Sequence, residues 1–574
     1  MKRLGAIAAA ILLTLAATAS ERKALMLFVQ FQDLKFSYTS DSFKGLADSL
    51  GLYFNDQFHG EPVFSFTAGP LITIEKDHSY YGENIKGKEN DTRMYEAVVK
   101  ACQQAVDSLS LAPFAITGST ELRDLLILVP GKCEADSLDA NMFSPQFVNV
   151  RAKGSYYAGK YRISCYGIAS ELGADGAFTG IGTLVHEYCH ILGLPDFYDT
   201  DGPDSGGLSP ALWGRIGIMD GGNLNGGGHR PPGFSAPDYY TLDPGMGEII
   251  DSTGTYSLEP ISEKGRFFVF EGPRSGEVFL AESRIERGWD TLIGGHGLAI
   301  YHYDRSDGDA GFSSWDGRNL SAAERWEKNR VNCNPAHQCV ELQAPDTLSP
   351  FFPSGPLESF ASETYPAFRF WDGTPSPLAI SNISQDAQGV VTFSLTRPIS
   401  AISVVPFQNS LIINWKCDQT IAGIDSCKVI CTKGADTLSV GRGAIVKDNV
   451  WSCTVERLSA ATTYRMTIQI MKNGAPFCSA VTSAVTMPMR QGSFPFIYLK
   501  SERNADGSFR SGARIPLQIF NASRTEEIRW YFRGSEVEVE PDGLFTIPGS
   551  GVLKAEIRWP DGSVDYIEKQ IEVK

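Results

Sequence analysis

The sequence predicts a multidomain protein in which an α/β (α+β) domain with a β-rich carboxyl-terminal part is followed by two all-β sandwich domains. Its 574 residues exceed what one hydrophobic core usually organises. Apolar runs of strand length alternate with helical runs up to about residue 250, and short strands separated by Gly, Pro, Asp and Ser dominate after residue 255. We therefore place the first domain at residues 20–396, with a core at about 20–250 and a β-rich completion at about 251–396.

Residue spacing predicts the elements of this first domain. Residues 23–31 (KALMLFVQF) and 123–131 (RDLLILVPG) are apolar and of strand length, whereas residues 92–109 (TRMYEAVVKACQQAVDSL) have the spacing of an amphipathic helix. Further strands are predicted at four short apolar segments: RFFVFE (266–271), EVFLAES (277–283), GLAIYHY (297–303) and VVTFSL (390–395).

Two further domains are predicted after a linker at Thr396-Arg397-Pro398. Residues 397–488 carry a tryptophan at the end of an early strand (Trp415, in SLIINW) and a Leu458, Thr462, Tyr464 pattern before a late strand. This pattern resembles a fibronectin type III domain. A second linker, PMRQGSF, leads into residues 489–574, where EEIRWYFRG, GLFTIPGSG and VLKAEIRWPDGS predict a small carboxyl-terminal β-sandwich.

The amino terminus and the overall charge indicate a secreted protein. Residues 1–19 read as a secretory signal peptide, with Lys2 and Arg3 before an apolar run and Ala17-Thr18-Ala19 as the cleavage site. No later apolar run reaches the length of about 18 residues that a membrane span needs, so no membrane insertion is expected. The net charge of −16 argues against nucleic acid as a partner. Eleven cysteines are an odd number, so at least one thiol stays unpaired in any disulfide pattern.

The stretch LVHEYCHILGLPDFYD (184–199) has the spacing of a zinc site on a helix. From Gly180 to Leu192 the apolar residues recur at steps of three and four, while His186 and His190 lie one turn apart on the opposite side. Two imidazoles at that spacing can bind one zinc ion. The apolar face is formed by Ile181, Leu184, Val185, Tyr188 and Leu192, and Cys189 falls towards it as a small buried side chain.

The residues around these histidines indicate catalytic zinc. Glu187 lies beside the first ligand and is expected to be the general base that activates the attacking water. Gly193 ends the helix in a left-handed turn, and Asp196 follows as the expected third ligand, with Asp199 as the rival. Three protein ligands leave one position open, which is typical of catalytic rather than structural zinc.

At this point the sequence resembles the immune inhibitor A family of secreted metallopeptidases, which is related to the metzincins. HEYCHILGLPDFYDTDG matches the family's motif His-Glu-x-x-His-x-x-Gly-x-x-Asp. LWGRIGIMDGGNLNGGGHRPPGFSA (212–236) is similar to its Trp-x-x-Met-Asp-x-Gly segment, which implies that Met219 is the methionine of the turn beneath the zinc. Segments 280–290, 296–304 and 329–346 resemble the family's β-rich completion. The resemblance implies His186, His190 and Asp196 as ligands and Glu187 as base in a metzincin-like peptidase.

The sequence does not decide whether the protein binds calcium or whether two other histidines belong to the site. Family members commonly carry an acidic Asp-x-Asp-x-Asp-Gly stretch before the zinc helix, and FAITGSTELRDLLILVPG stands there instead, so Ca²⁺ has no clear motif. The acidic loop DTDGPDSGG (199–207) is interpreted as solvated, although its oxygens suit a hard cation. His229 and His302 are conceivable site groups that ordinary hydrogen bonding explains equally well.

The expected function is that of a secreted zinc-dependent endopeptidase acting on protein or peptide substrates. The β-sandwich domains are expected to serve as accessory modules that bind glycans or proteins. The alternative is a catalytically inert surface-binding or adhesive protein that uses those modules, and a zinc amidase acting on cell-wall peptides is a third possibility. Intact ligands and an intact base favour the peptidase.

Overall fold

The computed structural model describes residues 21–85, 90–210, 215–347, 349–447, 449–488, 495–499, 503–504, 506–520, 525, 527–537, 543–560 and 562–574. The predicted signal peptide, Trp213 and most of the linker at 488–494 lie outside the described residues. No helix within the described ranges has the length and apolar character that a membrane span requires.

The chain divides into two compact units. The first holds the described residues within 21–251, 256–358 and 382–393, and the second holds those within 252–255, 359–381 and 394–574. The helices are α1 Ser40–Gln57, α2 His78–Tyr81, α3 Met94–Ala105, α4 Val150–Lys153, α5 Gly182–Leu192, α6 Ala236–Leu242, α7 Ile261–Lys264 and α8 Ala322–Glu327. The strands up to residue 396 are β1 Arg22–Gln30, β2 Phe64–Thr73, β3 Glu121–Leu122, β4 Leu125–Lys132, β5 Gln146–Asn149, β6 Tyr157–Ala158, β7 Tyr161–Ile163, β8 Cys165–Leu172, β9 Glu248–Ile249, β10 Gly254–Leu258, β11 Phe268–Glu271, β12 Glu277–Arg284, β13 Gly297–Asp304, β14 Asp309–Ser313, β15 Arg318–Ser321, β16 Val340–Leu342, β17 Ala379–Gln385 and β18 Val391–Thr396.

A five-stranded mixed sheet forms the centre of the first unit, in the order β2-β1-β4-β8-β5. The first four strands are parallel, and β5 runs antiparallel to β8 at the edge. Alternate residues of β1 and β4 face opposite sides, as the period of a strand requires. One face packs with α1 and α5, and the other packs with α3, which gives three layers. The strands predicted at residues 23–31 and 123–131 and the helix predicted within 92–109 are present as β1, β4 and α3.

A second five-stranded sheet supplies the β-rich part of this unit, in the order β16-β13-β12-β11-β9. Strands β11, β12, β13 and β16 pair antiparallel. Their apolar side chains join the core that also contains α5. The strands predicted at 266–271, 277–283 and 297–303 are confirmed, and α8 follows the β14–β15 hairpin.

Residues 399–485 of the second unit form a sandwich of two four-stranded antiparallel sheets, β19-β20-β24-β23 and β22-β21-β25-β26. Trp415 on β20 is fully buried between them. The Tyr464 hydroxyl accepts a 2.8 Å hydrogen bond from the Ser459 backbone N–H, which is the tyrosine corner expected of this architecture. These strands are β19 Ile399–Pro406, β20 Leu411–Cys417, β21 Ile424–Lys433, β22 Asp436–Arg442, β23 Ala444–Lys447, β24 Val450–Val455, β25 Thr463–Lys472 and β26 Ala475–Val485.

The last part of the second unit is also built of β-strands and has its own core. Its largest sheet has the order β31-β30-β33-β34, beside two pairs, β27-β29 and β28-β32. The described strands are β27 Phe496–Tyr498, β28 Arg514–Pro516, β29 Gln518–Phe520, β30 Glu527–Phe532, β31 Ser535–Glu536, β32 Leu544–Thr546, β33 Gly551–Arg558 and β34 Val564–Ile571. The chain is therefore multidomain and rich in strand.

The division differs from the predicted boundary at residue 396 in three segments, 252–255, 359–381 and 394–396, of which 359–381 is the longest. Residues 359–381 belong to the second unit, because their polar groups bond to strand β26. The Ser479 backbone N–H donates to Ser362 Oγ at 2.8 Å, and Arg369 Nη2 donates to Ser479 Oγ at 3.1 Å. These partners are more than 100 residues apart in sequence, so composition gave no sign of the pairing.

Candidate metal centre

Helix α5 carries the candidate site and packs directly on strand β8. Its predicted apolar residues are buried, and Cys189 is fully buried among them, which confirms it as a packing side chain. Close packing depends on Gly167 of β8, since a methyl group there would lie 2.7 Å from Cβ of Glu187. The glycine therefore lets the helix approach the sheet at the position of the predicted base.

Glycines also set both ends of this helix. The Gly182 N–H donates to the Gly228 carbonyl at 2.8 Å, and a Cβ on Gly182 would lie 1.8 Å from the Asn223 carbonyl oxygen. At the other end Gly193 has φ 109°, and its N–H bonds back to the Cys189 carbonyl at 3.0 Å. This left-handed cap is the one predicted from sequence.

Backbone carbonyls hold both imidazoles in one tautomer. His186 Nδ1 lies 2.9 Å from the Ile218 carbonyl oxygen, and His190 Nδ1 lies 2.7 Å from that of Leu194. A carbonyl oxygen only accepts, so each Nδ1 carries the hydrogen and donates it. In the neutral rings the lone pair is then on Nε2, the atom that faces the cleft.

Both Nε2 atoms converge on one oxygen of Asp196. Asp196 Oδ1 lies 3.0 Å from His186 Nε2 and 3.3 Å from His190 Nε2. The ring centroids of the two histidines are 4.9 Å apart. His186 and Asp196 are each 5 % exposed. Among the described residues these three side chains form a group whose donor atoms lie within 4.8 Å of one another.

This arrangement needs positive charge between the three groups. Nδ1 is already protonated on both rings, so a second hydrogen, on Nε2, would make a ring cationic. Without that hydrogen, the two Nε2 lone pairs and the Asp196 carboxylate face one another and repel. Burial opposes charge on His186, but the hydrogen bond to Asp196 and the negative charges of Glu187 and Asp196 together outweigh it and raise the pKa of His186. The donor set suits zinc, whose tetrahedral ligands at about 2.0–2.1 Å lie about 3.3 Å from one another. The residues therefore fit a zinc ion.

Glu187 lies beside this group without belonging to it. The side chain is 4 % exposed, lines the same cleft and has an Oε2 atom with no hydrogen-bond partner within the described part of the chain. Burial raises the pKa of Glu187 to about 8, opposed by the nearby His186. An unpartnered buried carboxyl oxygen is costly unless something else occupies its surroundings, such as a water or a substrate group.

Asn329 and Tyr198 also belong to the site, and neither was singled out from the sequence. The Asn329 amide donates to Asp196 Oδ2 at 2.6 Å, and its oxygen accepts from the Asp196 N–H at 2.7 Å. The ring of Tyr198 stacks on His186 at a centroid distance of 6.2 Å. Asn329 opens the segment 329–346 that resembled the family, but nothing in its spacing connected it to Asp196.

The segment containing Met219 bonds to the first histidine of the site and to the residue after Asp196. The carbonyl of Ile218 holds His186, and the carbonyl of Met219 accepts from the Phe197 N–H at 2.7 Å, one residue after Asp196. The Met219 side chain is fully buried in the core around α5. The assignment of Met219 to a turn beneath a zinc ion stays a prediction.

Asp199, the rival ligand, is directed into a separate group with Asp201 and Cys333. Its Oδ2 accepts from the Ser209 N–H at 2.9 Å, and Asp201 Oδ2 accepts from Ser205 Oγ at 2.5 Å. The two acidic side chains are thus hydrogen-bonded within their own loop. The structure therefore favours Asp196 over Asp199 as the residue that joins the histidines.

The other residues considered from sequence lie elsewhere. His302 on β13 is buried, stacks on Phe279 and places Nε2 2.9 Å from Glu277 Oε1, while His229 is exposed. All eleven cysteines lie in described parts of the chain and are free thiols. The sulfurs of Cys417 and Cys427 approach to 3.6 Å.

Comparisons with known proteins find similarity only to solved structures. No protein-family model matches it, and no curated protein matches it. Among solved structures it is similar to the fn3 domain of human collagen α-1(XX) chain, at 15 % identity over 17 % of this chain and 90 % of that one, with a TM-score of 0.15. A two-domain fibronectin type III segment from chicken tenascin is 13 % identical over 30 % of this chain and 98 % of that one, also with a TM-score of 0.15. At these scores the likeness supports no conclusion about the chain.

Proposed function

We propose that the protein is a secreted zinc-dependent endopeptidase of the immune inhibitor A type. One observation carries the proposal: both imidazoles are locked with Nε2 towards a single oxygen of Asp196, and Glu187 lies beside them in the same cleft. His186, His190 and Asp196 would hold the zinc. When bound, zinc would polarise the scissile carbonyl and lower the pKa of a water molecule.

Glu187 would perform the proton transfers. Its unpartnered oxygen is available to accept a proton from the attacking water, and the resulting carboxyl group would pass that proton to the leaving amine. Tyr198, which is 40 % exposed and stacks on His186, would donate a hydrogen bond to a substrate oxygen. No serine or cysteine nucleophile is required, and Cys189 is too buried to act as one.

The surroundings of the site support a peptide substrate. The cleft has a volume of about 410 Å³, and its lining includes Gln146, Phe147, Trp326 and Glu327. Gln146 and Phe147 belong to β5, the last strand in the described order of its sheet. An extended peptide can pair with such an edge through main-chain hydrogen bonds.

The inert adhesive protein is less well supported, since a chain that only binds has no need of a buried, unpartnered Glu187. The β-sandwich domains remain candidate modules for binding glycans or proteins. Secretion rests on the sequence of residues 1–19.

Digestion of a peptide library tests the proposal. We expect cleavage by the wild-type protein, loss of cleavage with a zinc chelator and with His186→Gln, and unchanged cleavage with His229→Gln, which alters an exposed histidine outside the site. Cleavage that persists at the wild-type rate in His186→Gln would refute the proposal.

A further inference from the structure

Asn329 lies two residues after the end of helix α8 and has an unusual backbone conformation. Its backbone has φ 54°, a left-handed conformation that Asn tolerates better than most residues. The Thr200 hydroxyl donates to its carbonyl oxygen at 3.0 Å, and the following Arg330 N–H bonds back to the Arg325 carbonyl at 2.9 Å. The backbone at this residue is therefore fixed from both sides.

The side chain of Asn329 forms two bonds with one residue. Its amide N–H donates to Asp196 Oδ2 at 2.6 Å, while its oxygen accepts from the Asp196 backbone N–H at 2.7 Å. The two bonds fix both the backbone and the carboxylate of Asp196. Oδ2 is thereby occupied, and only Oδ1 faces the imidazoles of His186 and His190.

We propose that Asn329 is the positioning residue that makes Asp196 a one-oxygen zinc ligand. This inference rests on the proposed zinc site. By holding Oδ2, the amide prevents the carboxylate from turning both oxygens towards the metal, which leaves a position for water or substrate. Groups that orient a metal ligand in this way typically contribute a factor of about 10–100 to metal affinity.

The arrangement also connects the predicted zinc-binding core to the β-rich part of the first unit. Asn329 lies 133 residues after Asp196, on the segment that follows α8 and the β14–β15 hairpin. The third ligand is therefore held in place by the β-rich part, and folding of residues 256–358 is coupled to the geometry of the metal site.

Zinc dissociation constants measured by chelator competition test the inference. Asn329→Gly keeps a residue that accepts the left-handed backbone and removes both side-chain bonds. Asn473→Gly makes the same exchange at another left-handed Asn, φ 50°, at the turn between β25 and β26. We expect about 10–100-fold weaker zinc binding in Asn329→Gly and unchanged binding in Asn473→Gly. The metal-free Asn329→Gly protein should still unfold cooperatively, with a lowered midpoint because the buried Asp196 loses two hydrogen-bond partners.

A double-mutant comparison separates this role from a general structural one. In an Asp196→Ala background, Asn329→Gly is expected to cause no further loss of zinc affinity, since the bond it removes acts only through Asp196. Wild-type affinity in Asn329→Gly would overturn the inference and leave the proposed function standing, provided that His186→Gln abolishes binding. A wild-type protein that binds no zinc would overturn both.

Discussion

The Nδ1 hydrogen of His190 is donated to the carbonyl of Leu194, four residues further along the chain, over a distance of 2.7 Å. The contact exists because the chain reverses at Gly193, whose φ is 109°. One left-handed residue therefore ends the helix, fixes the tautomer of the second imidazole and directs the chain towards Asp196.

Gly193→Ala is expected to destabilise the first unit by about 1–2 kcal/mol, because a Cβ is strained in a left-handed conformation. No atom lies within 4 Å of the added methyl, so the cost is purely conformational. Gly193→Asn should cost less, since Asn accepts this region more readily. Calorimetric unfolding of the two variants measures the difference, and equal stability of Ala and Gly at this position would be inconsistent with the explanation.

Gly167→Ala is expected to cost about 1–3 kcal/mol through overpacking, because the new methyl would lie 2.7 Å from Cβ of Glu187. It should also lower peptidase activity, since relief of the contact moves the proposed base. Gly45→Ala is the matched control: this glycine in α1 is exposed, a methyl group added to it would meet no atom within 4 Å, and the change should stabilise the helix by up to about 1 kcal/mol. Denaturant unfolding of both variants tests the contrast.

Arg284→Met is expected to destabilise the first unit by about 3–5 kcal/mol. The fully buried guanidinium lies 2.6 Å from Asp290 and 3.3 Å from Glu282, so its removal leaves two carboxyl groups buried without their cation. Arg287→Gln, at a side chain that is 60 % exposed, should change stability by less than about 0.5 kcal/mol. Similar unfolding midpoints for the two variants would show that the buried network contributes little.

His78→Gln is expected to cost more stability at about pH 5.5 than at about pH 8.5. Burial would lower the pKa of His78, but bonds to Asp139 at 2.9 Å and Asp33 at 2.7 Å outweigh it and raise the pKa. Because the folded-state pKa lies above the unfolded value of about 6.5, the stabilisation is complete below about pH 6.5 and is lost as the pH rises through the folded-state pKa. Unfolding measured at both pH values checks this, with His229→Gln as the exposed control. An equal penalty at both values would contradict the assigned pKa direction.

Much of the local structure could be predicted from the sequence. The three- and four-residue spacing of Ile181, Leu184 and Tyr188 is a property of one helix face, and the apolar runs of β1 and β4 are properties of single strands. The same local spacing predicted that the histidines share one side of the helix. Information of this kind lies within about fifteen consecutive residues.

Contacts between distant segments could not be predicted in this way. The pairing of Asn329 with Asp196, and of Ile218 with His186, depends on how loops meet after the sheets have formed. The assignment of residues 359–381 to the second unit likewise depends on hydrogen bonds to β26. None of these contacts has a signature in spacing or composition.

The most direct test of the central claim compares zinc content and peptide cleavage in wild-type protein and Glu187→Gln. The amide keeps the size of the side chain but cannot accept the proton of the attacking water. We predict one zinc ion per chain in both proteins and a fall in the cleavage rate of about 10²–10⁴-fold in the variant. Cleavage at the wild-type rate by zinc-loaded Glu187→Gln would contradict the account.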